Sequence, residues 1–206
     1  MKKFLACFCV LLGLSAPVFA AADNPVDLVR DASRQILDTI KKENGKNTAQ
    51  IRQQVESIAV PQFDFQRMTA LAVGMGWRQA SPTQQGQLAQ QFQTLLVRTY
   101  SSTMTRFKNA QIDVSPNAVM GNSGREATVK TQVSLPGAND KGPVAVDYTL
   151  YKTAQGWKVF NVSVEGASLV TVYRNQFTQE ISKSGVDGLI KMLQDKNAAP
   201  AAASKG

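Results

Sequence analysis

Any chemistry in this chain would have to come from carboxylates, lysines, arginines or its four tyrosines, because the 206 residues include no histidine and only two cysteines, Cys7 and Cys9. Without imidazole there is no Ser-His-Asp or Cys-His relay and no histidine general base. An isomerase or dehydratase can work without histidine by setting a carboxylate and a tyrosine face to face in an apolar cavity. Asp147 precedes Tyr148, but neighbours in an alternating segment point to opposite faces, so they do not share a cavity. Asp64 precedes Phe65 where a helix begins, and an acid there serves the helix N-terminus. Arg78 and Arg174 are the candidates to approach a phosphate, against the plainer reading of solvated surface arginines. No catalytic set and no metal-ligand set emerges, so the chain reads as a non-enzyme without a cofactor.

The elements that must position these residues follow from spacing. Asn24-Pro25 opens a helix carrying Val26, Val29, Ile36, Leu37 and Ile40, and Asn44-Gly45 stops it. A second helix spans about Thr48 to Ile58, and Val60-Pro61 ends it. The stretch Phe63 to Trp77 is apolar on more than one face and closes on Gly74 and Gly76, which suits either core or a cavity wall. Ser81-Pro82-Thr83-Gln84 has the form of a capping box with proline in the first turn. From it grows the longest helix, to about Lys108, with the stripe Leu88, Phe92, Leu95, Leu96, Tyr100, Met104 and Phe107. A stripe of that length is expected to lie across a sheet.

The sheet follows in the chain. Ile112 and Val114 begin a strand; Ala127 to Leu135 alternates apolar with polar, as does Val144 to Tyr151. Pro136 to Gly142 is a loop, and Thr153-Ala154-Gln155-Gly156 turns into a last strand, Trp157 to Val164. Short connections between consecutive strands predict an antiparallel meander. A helix with Leu169, Val172, Tyr173, Phe177 and Ile181 comes next, and a terminal helix starts at Ser184-Gly185-Val186-Asp187-Gly188. The order predicts an α+β domain with N-terminal helices packed on a curved antiparallel sheet and helices again at the C-terminus.

The N-terminus points to export. Lys2 and Lys3 precede the apolar run Phe4–Leu14, and Ser15 to Ala20 supplies a breaker and small residues, so residues 1–20 read as a secretory signal peptide cut near Ala20 or Ala22. Both cysteines leave with it. Residues 21–196 then form one domain and 197–206 an Ala/Pro/Lys-rich disordered tail. The formal charge is +8, of which Lys2 and Lys3 are removed, and the remaining cations are scattered, unlike a nucleic-acid footprint.

Several motifs, in order and spacing, resemble the periplasmic phospholipid-carrier family, the MlaC-like or toluene-tolerance proteins. They are Val60-Pro61 with Phe63-Asp64-Phe65, Ala72-Val73-Gly74 leading to Trp77-Arg78, and Ala80-Ser81-Pro82-Thr83-Gln84-Gln85. Phe92, Leu95, Leu96 and Tyr100 follow, then Trp157-Lys158-Val159-Phe160 through Val162 and Val164 to Leu169. Tyr173-Arg174-Asn175-Gln176-Phe177 and Gly185 to Leu189 complete them. The resemblance implies a cone like that of the nuclear-transport-factor superfamily, with a deep apolar pocket for acyl chains. It also implies a monomeric periplasmic shuttle within a system that maintains outer-membrane lipid asymmetry. Its partners would be an outer-membrane lipoprotein–porin complex and an inner-membrane ABC-type transporter with an anchored substrate-binding ring. A diacyl lipid has on the order of 30 methylene and methyl groups, and taking them through water would cost roughly 20 kcal/mol at ~0.8 kcal/mol each. A carrier must supply an apolar cavity and needs no catalytic group.

The residues expected to touch the tails are Phe65, Met68, Leu71, Ala72 and Met75, then Phe92, Leu96, Tyr100 and Met104. From the sheet come Val133, Val146, Tyr148, Leu150, Trp157, Val159 and Val162, with Leu169 and Tyr173 closing the mouth. Periodicity does not separate cavity lining from ordinary core at any of them. Competing readings are a carrier of another apolar ligand (a sterol-like lipid, a quinone or a solvent), an enzyme on the same fold, and a ligand-free protein-binding module.

Overall fold

The computed structural model describes residues 24–199 except 103 and 136–141. The signal segment, nearly all of the loop 136–142 and the end of the tail lie outside the described residues. No helix among the described residues is long and apolar enough to cross a membrane.

Helix α1 (Pro25–Ile40) starts where Asn24 accepts a hydrogen bond from the Val26 N–H, with proline in the first turn. Helix α2 (Thr48–Ala59) runs into a 3-10 turn at Val60–Gln62. The apolar stretch beyond is two helices rather than one, α3 (Phe65–Val73) and α4 (Met75–Gln79), because Gly74 between them adopts φ 64° and ψ −126°. Helix α5 (Pro82–Ser101) begins with both halves of the expected capping box, Ser81 to the Gln84 N–H and the Gln84 side chain to the Ser81 N–H. It is shorter than its stripe suggests: after it comes a separate 3-10 segment, Met104–Phe107.

Six strands form one antiparallel sheet: β1 (Gln111–Val114), β2 (Val119–Gly121), β3 (Glu126–Ser134), β4 (Val144–Thr153), β5 (Gly156–Val164) and β6 (Ala167–Ser168). The order is β1-β3-β4-β5-β6, with β2 beside β1 on the same edge of β3. The expected α+β architecture, helices on a curved antiparallel sheet, is the one observed. The short strands β2 and β6 carry too few residues to show a period.

The C-terminal helical region α6 (Leu169–Ala198) bends at Gly185, whose φ of 71° and ψ of −172° fall in a region that L side chains avoid. The non-helical backbone of Gly185 separates two helical stretches, as expected from the break at Ser184-Gly185. Gly185→Ala should destabilise the fold by about 1–3 kcal/mol, since nothing crowds the position and the whole effect is backbone strain; urea denaturation measures it. The boundary expected at Asn197 falls inside α6. Asn197 is 9% exposed and donates to the Gln91 carbonyl, while Arg98 caps the helix end through the carbonyls of Asn197 and Ala199.

Three apolar clusters result. Helices α3, α5 and α6 share one, with Met68, Ala72, Leu88, Phe92, Phe177 and Leu189 at 0–1% exposure. Helix α1 and the sheet share a second, built on Val26, Val29, Val129, Leu150 and Val159. Ile40, Ile51, Val55 and Met104 make a small third. The long helix therefore lies against α3 and α6 rather than across the sheet, contrary to expectation. The sheet's cover is α1, the more amphipathic of the two helices. A stripe reports that a helix is buried, not what buries it.

Candidate functional site

The register assigns one apolar face to the sheet. Ala127, Val129, Thr131 and Val133 of β3 stand opposite Leu150, Tyr148, Val146 and Val144 of β4. On β5, Val159 pairs with Leu150, Val162 with Tyr148 and Val164 with Val146. Val159 and Val162 are three residues apart, and strict alternation would put them on opposite faces. Phe160 is an extra residue in β5, a bulge that returns Val162 to the apolar side.

Helix α1 buries only half of this face. Under it, Leu150, Trp157 and Val159 are 0–4% exposed. Toward the other end Val144, Val146, Tyr148 and Val162 are only half-buried, and Val164 is exposed. Burial pushes the Tyr148 phenol above the ordinary tyrosine value, although the residue is only half-buried. This half of the sheet is an apolar face less covered than the half packed with Val26 and Val29.

Where β5 passes into α6, side-chain hydrogen bonds fix the turn. Asn161 Oδ1 accepts from the Ser168 hydroxyl at 2.9 Å and from the Val170 N–H, and Ser168 in turn caps α6 through the Thr171 N–H. Tyr173 stacks edge-on against Phe92 at 4.9 Å. Its phenol is raised by burial and by the neighbouring Tyr100, which brings the end of α5 to the same place.

The eighteen expected contact residues fall into distinct places. Val146, Tyr148 and Val162 are half-buried on the apolar face of the sheet; Tyr173 packs against the helical cluster with Tyr100 nearby, and Leu169 opens α6. Val133 is buried on the same sheet face. Leu150, Trp157 and Val159 pack beneath α1; Met68, Ala72, Phe92 and Leu96 lie inside the helical cluster, with Phe65 and Leu71 at its edge. Met104 belongs to the small cluster under α1 and α2. Met75 is 81% exposed, so it walls nothing: the Gly74 bend swings it out of the line that a continuous helix would have kept. Val144 and Val164 were not expected; the alternation from Val144 to Tyr151 was the available signal for the first, and the irregularity at Phe160 hid the second.

On the opposite face lies a polar network. Asp64 caps α3 by accepting from the Arg67 N–H at 2.8 Å, as expected of a helix-start acid, and its other oxygen accepts from the Tyr151 hydroxyl. The Arg67 guanidinium sits 4.1 Å from the Tyr151 ring centre and 4.4 Å from that of Phe160, and pairs with Glu126 at 2.9 Å. One side chain of α3 thereby joins β3, β4 and β5. Burial, then the bond to Asp64, pushes the Tyr151 phenol up to about 12. A raised tyrosine value means that the folded state favours the protonated phenol. Its contribution to stability is present below about pH 10 and is lost as pH rises through about 12. In an ultraviolet alkaline titration all four tyrosines should ionise above the ordinary tyrosine value, and Tyr151→Phe should remove one of these late components.

The sequence model of the MlaC protein family matches residues 30–195. The chain belongs to the MlaC family. It is 27% identical over 182 residues to the toluene tolerance protein ttg2D of Pseudomonas putida, covering 86% of this chain and 82% of that protein. It is 20% identical over 185 residues to the intermembrane phospholipid transport system binding protein MlaC of Haemophilus influenzae, covering 87% and 85%. A solved structure of similar fold is the phospholipid-binding protein of Ralstonia solanacearum in complex with a phospholipid. It is 35% identical with a TM-score of 0.73, over 84% of this chain and 96% of that one.

Proposed function

We propose that this protein is a phospholipid carrier that holds acyl chains against the half of the sheet left uncovered by α1. The observation that carries the reading is the half-buried apolar wall of Val146, Tyr148 and Val162, in a fold shared with a phospholipid-bound relative. The family adds the setting: a periplasmic shuttle between an outer-membrane lipoprotein–porin complex and an inner-membrane ABC-type transporter, entered after removal of the N-terminal segment. Tail contact falls to Val146, Tyr148 and Val162, with Tyr100, Leu169 and Tyr173 at the mouth. The packed members of the expected set support this wall from behind.

Catalysis has little to work with. The tyrosine–carboxylate pair, Tyr151 and Asp64, sits on the face away from this wall, and both Asp64 oxygens are engaged. Detergent-free purification followed by native mass spectrometry and lipid extraction tests the proposal. Stoichiometric phospholipid is the expected result. Protein that arrives empty and takes no lipid from vesicles would overturn it, and co-purification of a quinone or sterol-like lipid would transfer the role to another apolar cargo.

A further inference from the structure

A second concavity lies on the other side of the molecule, between the start of α3, the middle of α5 and the β4–β5 hairpin. It encloses about 650 Å³, within the range of small-molecule sites. Its chemistry is unlike that of the proposed lipid wall. Four glutamines, Gln66, Gln90, Gln93 and Gln155, line it, and none has a side-chain hydrogen bond among the described residues. Each carboxamide offers two N–H donors and a carbonyl acceptor. Phe63 and Phe65 also line the groove, stacked on each other at 5.6 Å and 22°. The two charged lining groups are already engaged: Asp64 by Arg67 and Tyr151, and the Lys158 ammonium by the Pro61 carbonyl.

We propose that this groove is a binding site for the neutral, N-acetylated sugar units of a glycan. A free acetamido group matches a carboxamide donor for acceptor. Sugar hydroxyls, each both donor and acceptor, suit the remaining amide groups and the Thr94 and Thr153 oxygens, whose own protons are spent on the carbonyls of Gln90 and Gly156. The carbon-bound hydrogens of a sugar ring carry slight positive charge and pack on the negative face of an aromatic ring. An extended peptide fits less well. Peptides that add to a sheet need a free strand edge, and here the β5 edge at Val159 is taken by the Asp64 N–H at 2.9 Å. The site is independent of the proposed lipid site, since its lining residues share nothing with the wall of Val146, Tyr148 and Val162.

The test is a titration of the intact, lipid-loaded protein with N-acetylchitotetraose, following the glutamine side-chain NH₂ resonances by NMR. Saturable shifts of Gln90 and Gln93 are expected, with a Kd of about 0.1–1 mM, the range of a small polar ligand. The Gln90→Leu/Gln93→Leu protein should bind at least about tenfold more weakly, a loss of roughly 1.4 kcal/mol, with its lipid content unchanged. Gln155→Ala, in the hairpin turn, offers a second weakening that leaves α5 untouched. Maltotetraose, which lacks acetamido groups, should bind more weakly than N-acetylchitotetraose, and equal binding would overturn the acetamido assignment. No saturable shift up to about 10 mM, where affinity falls below the range of specific recognition, would overturn the site. So would shifts that survive all three substitutions, or a short Ala/Pro peptide that saturates the same resonances at lower concentration.

Discussion

A Val162→Trp protein is expected to fold and to carry at least about tenfold less phospholipid. Val162 stands opposite Tyr148 on the half of the apolar face that α1 leaves uncovered, and it is only half-buried. An indole placed there grows toward the accessible part of this face, at the edge of the cluster that α1 shares with the sheet. The change in stability should stay within about 1 kcal/mol, as for substitutions that neither open a cavity nor overpack a core. Lipid occupancy should fall at least about tenfold, because the bulk removes volume that the acyl chains need and each displaced methylene forgoes ~0.8 kcal/mol of burial. Native mass spectrometry reads the occupancy and a thermal melt reads the fold. Full lipid load with tryptophan in place would show that the tails lie elsewhere. A collapse in Tm would mean that Val162 is core after all.

Phe92→Ala should have the opposite signature. Phe92 has 0% exposure and sits at the centre of the helical cluster, edge-on to Tyr173 at 4.9 Å and to Phe177 at 5.1 Å. Truncation leaves a cavity that the surrounding helices do not close, and the expected loss is about 3–5 kcal/mol of unfolding free energy. Such a loss is a large share of the stability of a domain this size. Guanidinium denaturation measures it, and a change below about 1 kcal/mol would mean that the cluster relaxes around the gap, contrary to close packing. Together the two variants separate wall from core, which sequence periodicity leaves merged.

That merging marks where local information ends. The pattern at Phe63–Trp77 correctly said that these residues are buried on several sides, yet it put Met75 in the wall with Met68 and Leu71. One glycine at φ 64° changes the direction of everything after it, and a hydrophobic pattern carries no sign of that angle. Likewise the stripe on α5 was legible residue by residue, and Leu88, Phe92 and Leu96 are indeed buried. Its partner was not legible, because an apolar stripe fits another helix as well as a sheet. The bulge at Phe160 worked in the other direction: Val162 was named among the lining residues although alternation from Val159 would exclude it. The groove of glutamines escaped notice entirely, since its members come from positions as far apart as Gln66 and Gln155 and each alone looks like a solvated side chain.

From its sequence alone the chain's histidine-free chemistry, its α+β order, its capping box and its family resemblance were determined, because each depends on residue types or on neighbours a few positions apart. Tertiary structure alone decided which apolar residues are packed and which are left accessible. Leu150, Trp157 and Val159 are buried in the cluster they share with α1, whereas Val146 and Val162 are only half-buried, though all five belong to one continuous apolar face. The difference between core and binding wall is what lies across from a side chain, and that is set by how a distant helix packs, not by the side chain's own identity.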